Sequence, residues 1–167
     1  MSAPAFARSP VARQTFRHMR IGLISDTHGM LRREALAALG GVECILHAGD
    51  IGSEAVLEGL RALAPVHAVR GNNDRGAWAE AIPPTLSVEL EGVRAFVLHD
   101  LGELEGPPAG VAVVVSGHSH QPRIVAREGV LFINPGSAGP RRFRLPVTVG
   151  FLELDAGRAR GHIQPLL

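Results

Sequence analysis

Apolar residues fall into short runs along the chain, and most of these runs are closed by Gly, Asp, Asn or His. Residues 20–25 (RIGLIS) form a β-run broken by Asp26. Over 31–39 the apolar side chains Leu31, Ala35, Leu36 and Leu39 follow helical spacing. A second apolar run at 42–47 ends in Ala48-Gly49-Asp50. Ser53 then stands where an N-cap would, ahead of a helix running to about residue 63 with Val56, Leu57 and Leu60 on one face. A third strand over 66–69 ends at Gly71. This β-α-β-α-β order predicts parallel strands with right-handed crossovers.

The pattern changes after Pro83-Pro84. Strands are predicted over 86–90, 94–98, 111–116, 123–126, 130–133, 147–154 and 158–163, with Gly92, Gly129 and Gly157 at turns. The second half therefore reads as mainly antiparallel β. No internal repeat is visible, and 106–110 (GPPAG) reads as a loop rather than a linker. Residues 1–18 differ from the rest, with Arg8, Arg13 and Arg17 and no acid. They lack the apolar segment of a secretory signal. The reading is a dispensable extension over 1–18, with Met19 as the natural start, and one domain over 19–167.

Length and composition agree with a single soluble domain: 167 residues, 46% hydrophobic, 20% charged. The net charge of +1 with no basic stripe gives no reason to expect stable nucleic-acid binding. No apolar stretch approaches the roughly 20 residues of a membrane span. All 17 cations are Arg and Tyr is absent, which reads as a GC-rich coding bias. Cys44 is the only cysteine and sits in an apolar run, so it reads as core, and a reducing cytoplasm is the default compartment. A monomer and a homo-oligomer are both compatible with these features.

The chemistry lies at the ends of the strands. Ser25-Asp26-Thr27-His28-Gly29, Gly49-Asp50, Gly71-Asn72-Asn73-Asp74, His99-Asp100 and Gly117-His118-Ser119-His120 each follow an apolar run. Ligand sites of open α/β sheets form outside the carboxyl ends of strands. Five loops would thus bring Asp26, His28, Asp50, Asn72, His99, His118 and His120 to one rim. Carboxylate, imidazole and amide donors without thiolate favour Mn²⁺, Fe, Co²⁺, Ni²⁺ or Zn²⁺. Seven side chains exceed what one ion takes, whereas two ions sharing a carboxylate accommodate them. Turn preferences explain any one of these loops, but hardly all five in order. His47 and His67, inside apolar runs, read as packed histidines, and His18 and His162 also stand outside the set.

These motifs resemble the calcineurin-like metallophosphoesterases, whose pattern is D-x-H, GD, GN-H/C-E/D, H and GH-x-H. The similarity is greatest to the small single-domain bacterial and archaeal phosphodiesterases and runs from about Met19 to Val149. Asn134-Pro135-Gly136-Ser137 followed by Pro140-Arg141 resembles a loop of that group. The resemblance implies an α/β fold, a four-layer α/β/β/α sandwich. It also implies two divalent metals, Mn²⁺ foremost: one on Asp26, His28 and His120, the other on Asn72, His99 and His118, with Asp50 bridging. A metal-bridging hydroxide would attack a small phosphoester, more readily a diester than a monoester.

Two positions depart from the pattern. Asn73 replaces the His regarded as the acid for the leaving group, leaving Asp50, Asn72 and Asn73 as the residues closest to catalysis. His18, Asp74 or a metal-bound water could serve as acid instead. Asp100 stands where His-Gly is common, and could orient a ligand His or face solvent. A reading from another class is a catalytically silent scaffold acting through protein interaction, as in the retromer subunit of this superfamily. The seven filled ligand positions favour the enzyme.

Overall fold

The structure is a computed structural model, and it describes residues 15–167. β1 (Met19–Ile24), β2 (Cys44–His47) and β3 (Val66–Ala68) pair in parallel, connected by α1 (Arg33–Ala38) and α2 (Glu54–Arg61). Both faces of β1 and β2 are covered, which is why their sequences run apolar without alternation. Ile21, Leu23 and Leu46 point between the sheets, while Ile24 and Ile45 pack towards the helices with Leu39, Leu57 and Leu60. α2 buries the predicted Val56, Leu57 and Leu60 face. Ser53 does stand at its N-cap with extended backbone, but its side chain makes no capping hydrogen bond. The first turn is closed instead by the Val56 N–H donating to the Ser53 carbonyl, with Glu54 opposite the positive helix end.

The second sheet has the order β4 (Thr85–Leu90), β5 (Val93–Leu98), β6 (Val113–Val115), β8 (Val130–Asn134), β7 (Arg123–Arg127). β4–β5 and β7–β8 are antiparallel hairpins turning at Gly92 and Gly129, both at positive φ. Between them, β5–β6 and β6–β8 are parallel. This parallel centre is the refinement of the sequence reading, because an apolar run carries no record of its partner's direction. Its consequence is functional: β5 and β6 end at one rim. β9 (Thr148–Asp155) and β10 (Arg158–Pro165) return to the first sheet, whose order is β10-β9-β1-β2-β3, with β9 antiparallel to β1.

The two sheets face each other through Ile21, Leu46, Ala95, Val97, Val113, Val115 and Leu152. The helices, with the short α3 (Ala77–Glu80), cover the first sheet, and Trp78 packs there against the cluster that holds Ile24, Ile45 and Leu57. The layer over the outer face of the second sheet is thin, a single 3-10 turn over Leu101–Glu103 and its loop. Before β1, Arg17 pairs with Glu43 at 3.1 Å and Glu91 at 3.3 Å, and His18 with Glu153 at 2.9 Å. Such exposed pairs contribute about 0–1 kcal/mol each. No helix among the described residues is long and apolar enough to cross a membrane.

Candidate metal centre

The loops after β1, β2, β3, β5 and β6 meet at one rim and bring all seven sequence-predicted side chains together in two adjoining clusters. In the first, His28 Nε2 and His120 Nε2 stand 3.3 Å apart. Asp26 Oδ1 lies 3.3 Å from His120 Nε2 and 3.9 Å from His28 Nε2. In the second, Asn72 Oδ1 is 3.1 Å from His99 Nε2 and 3.2 Å from His118 Nδ1, and those two nitrogens are 3.3 Å apart. Asp50 joins them: its Oδ2 is 3.4 Å from His99 Nε2 and 3.8 Å from His28 Nε2.

This geometry suits cations. Asp26 is fully buried, yet its Oδ1 receives no hydrogen bond, and neither does His120 Nδ1. A buried carboxylate oxygen without a donor costs several kcal/mol unless a positive charge answers it. Imidazole nitrogens directed at one another likewise need a common positive partner. Asp26, His28 and His120, and Asp26, Asp50 and His99, each offer donor atoms within 4.8 Å of one another.

Backbone conformation carries the same message. Nine described non-glycine residues have positive φ, and five of them are Asp26, His28, Asp50, His118 and His120. L-residues adopt this region at a cost of about 1–3 kcal/mol each when held against preference. Concentrating that cost on the candidate ligands is what a functional site does and a turn-forming loop has no need to do. Two glycines make room: a Cβ on Gly71 would run into the Asp50 carboxylate, and one on Gly117 into Ser25 Oγ and Asp26 Oδ2.

Neighbouring groups fix the donors in place. His99 Nδ1 donates to the Ala48 carbonyl at 2.7 Å, leaving Nε2 free to face Asp50. Burial disfavours the charged His99, but hydrogen bonds with Asp50 and Ala48 and the charges of Asp50 and Asp26 outweigh it and raise its pKa. Burial also works against Asp50, yet hydrogen bonding from His99 and Asn73 holds its carboxyl well below the usual range. His28 is lowered, chiefly by burial, with Asp50 and Asp26 opposing. Burial pushes the Cys44 thiol up to about 11, in keeping with a core cysteine.

Several residues take positions that the sequence left open. Asn73 turns to Asp50, its backbone N–H donating to Oδ1 at 2.9 Å and its Nδ2 to Oδ2 at 2.7 Å. Asp74 is buried and accepts from the Ile51, Gly52 and Gly71 N–H groups, so it ties two loops together rather than offering a proton. His18 pairs with Glu153 at the amino end of β1, away from the rim. Asp100 accepts from Gly102 N and also faces His118 Nε2 at 3.7 Å, on the side opposite Asn72. In the loop after β8, Ser137 Oγ donates to the Asp26 carbonyl and Asn134 to the Gly117 carbonyl, so this loop braces both ligand loops. Sequence reasoning missed Arg142, whose Nη2 approaches His28 Nε2 to 3.5 Å; the Arg-rich 141–144 run was its only signal.

His47 stands outside the clusters, as its apolar surroundings suggested. Its Nδ1 accepts from Gly49 N and its Nε2–H donates to Thr27 Oγ1, which donates to the Ile51 carbonyl. Burial, opposed by Asp26 and Asp74, lowers its pKa from 6.5 to about 4. A folded pKa below the unfolded value gives stability that is full above 6.5 and lost as pH falls from 6.5 towards 4. Urea midpoints of metal-free protein should therefore drop between pH 7 and about 4.5, and drop less in His47→Gln. Equal drops would assign the acid sensitivity to other groups.

The profile of the calcineurin-like phosphoesterase superfamily domain matches residues 19–157. The chain belongs to this superfamily. A probable metallophosphoesterase of Methanothermobacter thermautotrophicus is 36% identical over 87% of this chain and 91% of its own. Among solved structures, an archaeal phosphodiesterase is 29% identical with TM-score 0.73, covering 87% of this chain and all of the other. Vacuolar protein sorting 29 of Cryptosporidium parvum, at 19% identity and TM-score 0.70 over 89% and 97% of the chains, shares the fold. Within this phosphoesterase superfamily, therefore, the chain has relatives named as enzymes and a fold shared with a sorting protein.

Proposed function

We propose that this phosphoesterase is a phosphodiesterase that holds two divalent cations, Mn²⁺ foremost, in the cytoplasm. The observation that carries the reading is Asp50 Oδ2 standing within reach of both donor clusters. Asp26, His28 and His120 would hold one cation, Asn72, His99 and His118 the other, and Asp50 would touch both. When bound, two such cations lower the pKa of water and neutralise charge on phosphoryl oxygens. The chain's own groups supply the rest. Asn73 fixes the Asp50 carboxylate through both oxygens, Asp100 faces the outer nitrogen of His118, and Arg142 lies where it can meet a phosphate oxygen.

Metal-free protein should not hydrolyse bis(p-nitrophenyl) phosphate. Mn²⁺ should restore turnover with two ions bound per chain, and EDTA should remove it. Full turnover with EDTA present would sink the reading. No turnover even with Mn²⁺ bound would also overturn it, and would mark a protein that kept its ligands for some other purpose, as a scaffold would.

We also propose that residues 1–18 are dispensable, since the contacts that 17 and 18 make are exposed ion pairs and one exposed hydrogen bond from the Arg17 backbone to Glu91. A chain beginning at Met19 should melt within a few degrees of the full chain and keep its activity. Failure of the shorter chain to fold would overturn this.

A further inference from the structure

The outer face of the second sheet, thinly covered, bounds a cavity of about 620 Å³. The β7–β8 register pairs Val125 with Phe132 and Arg127 with Val130, so these side chains share one face. Val125, Val130 and Phe132 form an apolar floor, and Leu101, Leu104 and Pro107 line the opposite side. The cavity reaches Asp100 and His118, the imidazole whose Nδ1 lies 3.2 Å from Asn72 Oδ1. It is therefore continuous with the candidate metal centre.

Its chemistry selects an occupant. The volume falls in the range of roughly 300–1,000 Å³ common for sites that enclose organic ligands. The Arg127 guanidinium lies 5.8 Å from the Phe132 ring centroid, giving a flat aromatic and cationic surface of the kind on which planar rings stack. Arg123 offers donors, and Glu105 and Glu128 offer acceptors, all in the same lining. Charges of both signs give no advantage to an anionic arm, and an alkyl arm would use none of these polar groups. A neutral heteroaromatic ring with donors and acceptors on its edge uses the floor and the rim together.

We propose that this trough binds one ester arm of the substrate, a flat heteroaromatic group of nucleoside size, while the phosphate sits at the metal clusters. The inference rests on the phosphodiesterase reading for its phosphate half only. Its own test is a pair of products, adenosine 5′-phosphate and methyl phosphate, competing against a chromogenic diester with Mn²⁺ present. The parent should bind adenosine 5′-phosphate about tenfold more tightly than methyl phosphate. Val125→Trp, which fills the floor, should erase that difference and leave methyl phosphate unchanged. Leu104→Trp should do the same from the opposite side, which guards against one variant failing to fold.

A second measurement separates the two readings. Adenosine, which has no phosphate, titrated into metal-free protein should shift the amide resonances of Val125, Val130 and Phe132. Those shifts without any hydrolysis would keep the trough and refute the phosphodiesterase. Hydrolysis with equal product affinities and no such shifts would overturn the trough and keep the phosphodiesterase. Unaffected resonances, with a concentration-dependent molecular size that Val125→Trp abolishes, would give the surface to a second copy of the chain and likewise overturn the proposal.

Discussion

Asp50→Asn should lower kcat/KM for a phosphodiester by about 10³-fold or more, the scale of losing central charge stabilisation. The substituted amide keeps the size of the side chain but removes the one charge shared by both clusters, whose Oδ2 lies 3.4 Å from His99 and 3.8 Å from His28. His47→Ala and His67→Ala are the comparison. His47 hydrogen-bonds Gly49 and Thr27 inside the protein, and His67 lies within β3. Their loss should reduce stability while leaving activity within several-fold, provided assays are run well below each variant's melting temperature. Steady-state kinetics beside thermal melts would separate the effects. Equal activity losses in all three variants would mean that the site lies elsewhere.

The second large effect concerns the leaving group. A well-placed general acid contributes about 10²–10⁴-fold, and more as the departing alkoxide becomes more basic. Asn73 has no titratable proton, and its backbone N–H and Nδ2 each donate to Asp50. Asp74 is committed to three backbone N–H groups, and His18 is paired beside Glu153. Aryl diesters should accordingly be cleaved readily, and alkyl monoesters bound but turned over slowly. Across a series of leaving groups the parent should show a steep dependence on their pKa, and Asn73→His a flatter one. Asn73→Ala completes the comparison: it removes the Nδ2 bond to Asp50 without adding an acid, so it should slow all substrates alike. A flat dependence in the parent would show that another group already supplies the proton.

Much of this was legible in the residues because strand ends announce themselves. An apolar run broken by Asp26, Asp50 or His99 marks both a strand and its rim, and five such breaks in order mark a site. Sheet direction was less legible. Hairpins at Gly92 and Gly129 are local and visible, whereas the parallel β5–β6–β8 centre is set by pairings between distant segments. The direction of Asn73 was invisible for the same reason, since its partner lies 23 positions away. Ser53 has the composition of a cap but not its hydrogen bond, because propensity reports an average over many helix starts. The trough beside His118 could not be foreseen at all: the long loop between β5 and β6 holds a single 3-10 turn and leaves a sheet face half covered, and loop length alone does not tell where the loop lies.

The central claim is a two-cation centre joined by Asp50. It is tested most directly by anomalous diffraction from crystals of the protein grown with Mn²⁺. Two peaks about 3.5–4 Å apart, both touching the Asp50 carboxylate, are the predicted result. A single peak, or two peaks of which neither contacts Asp50, would contradict it.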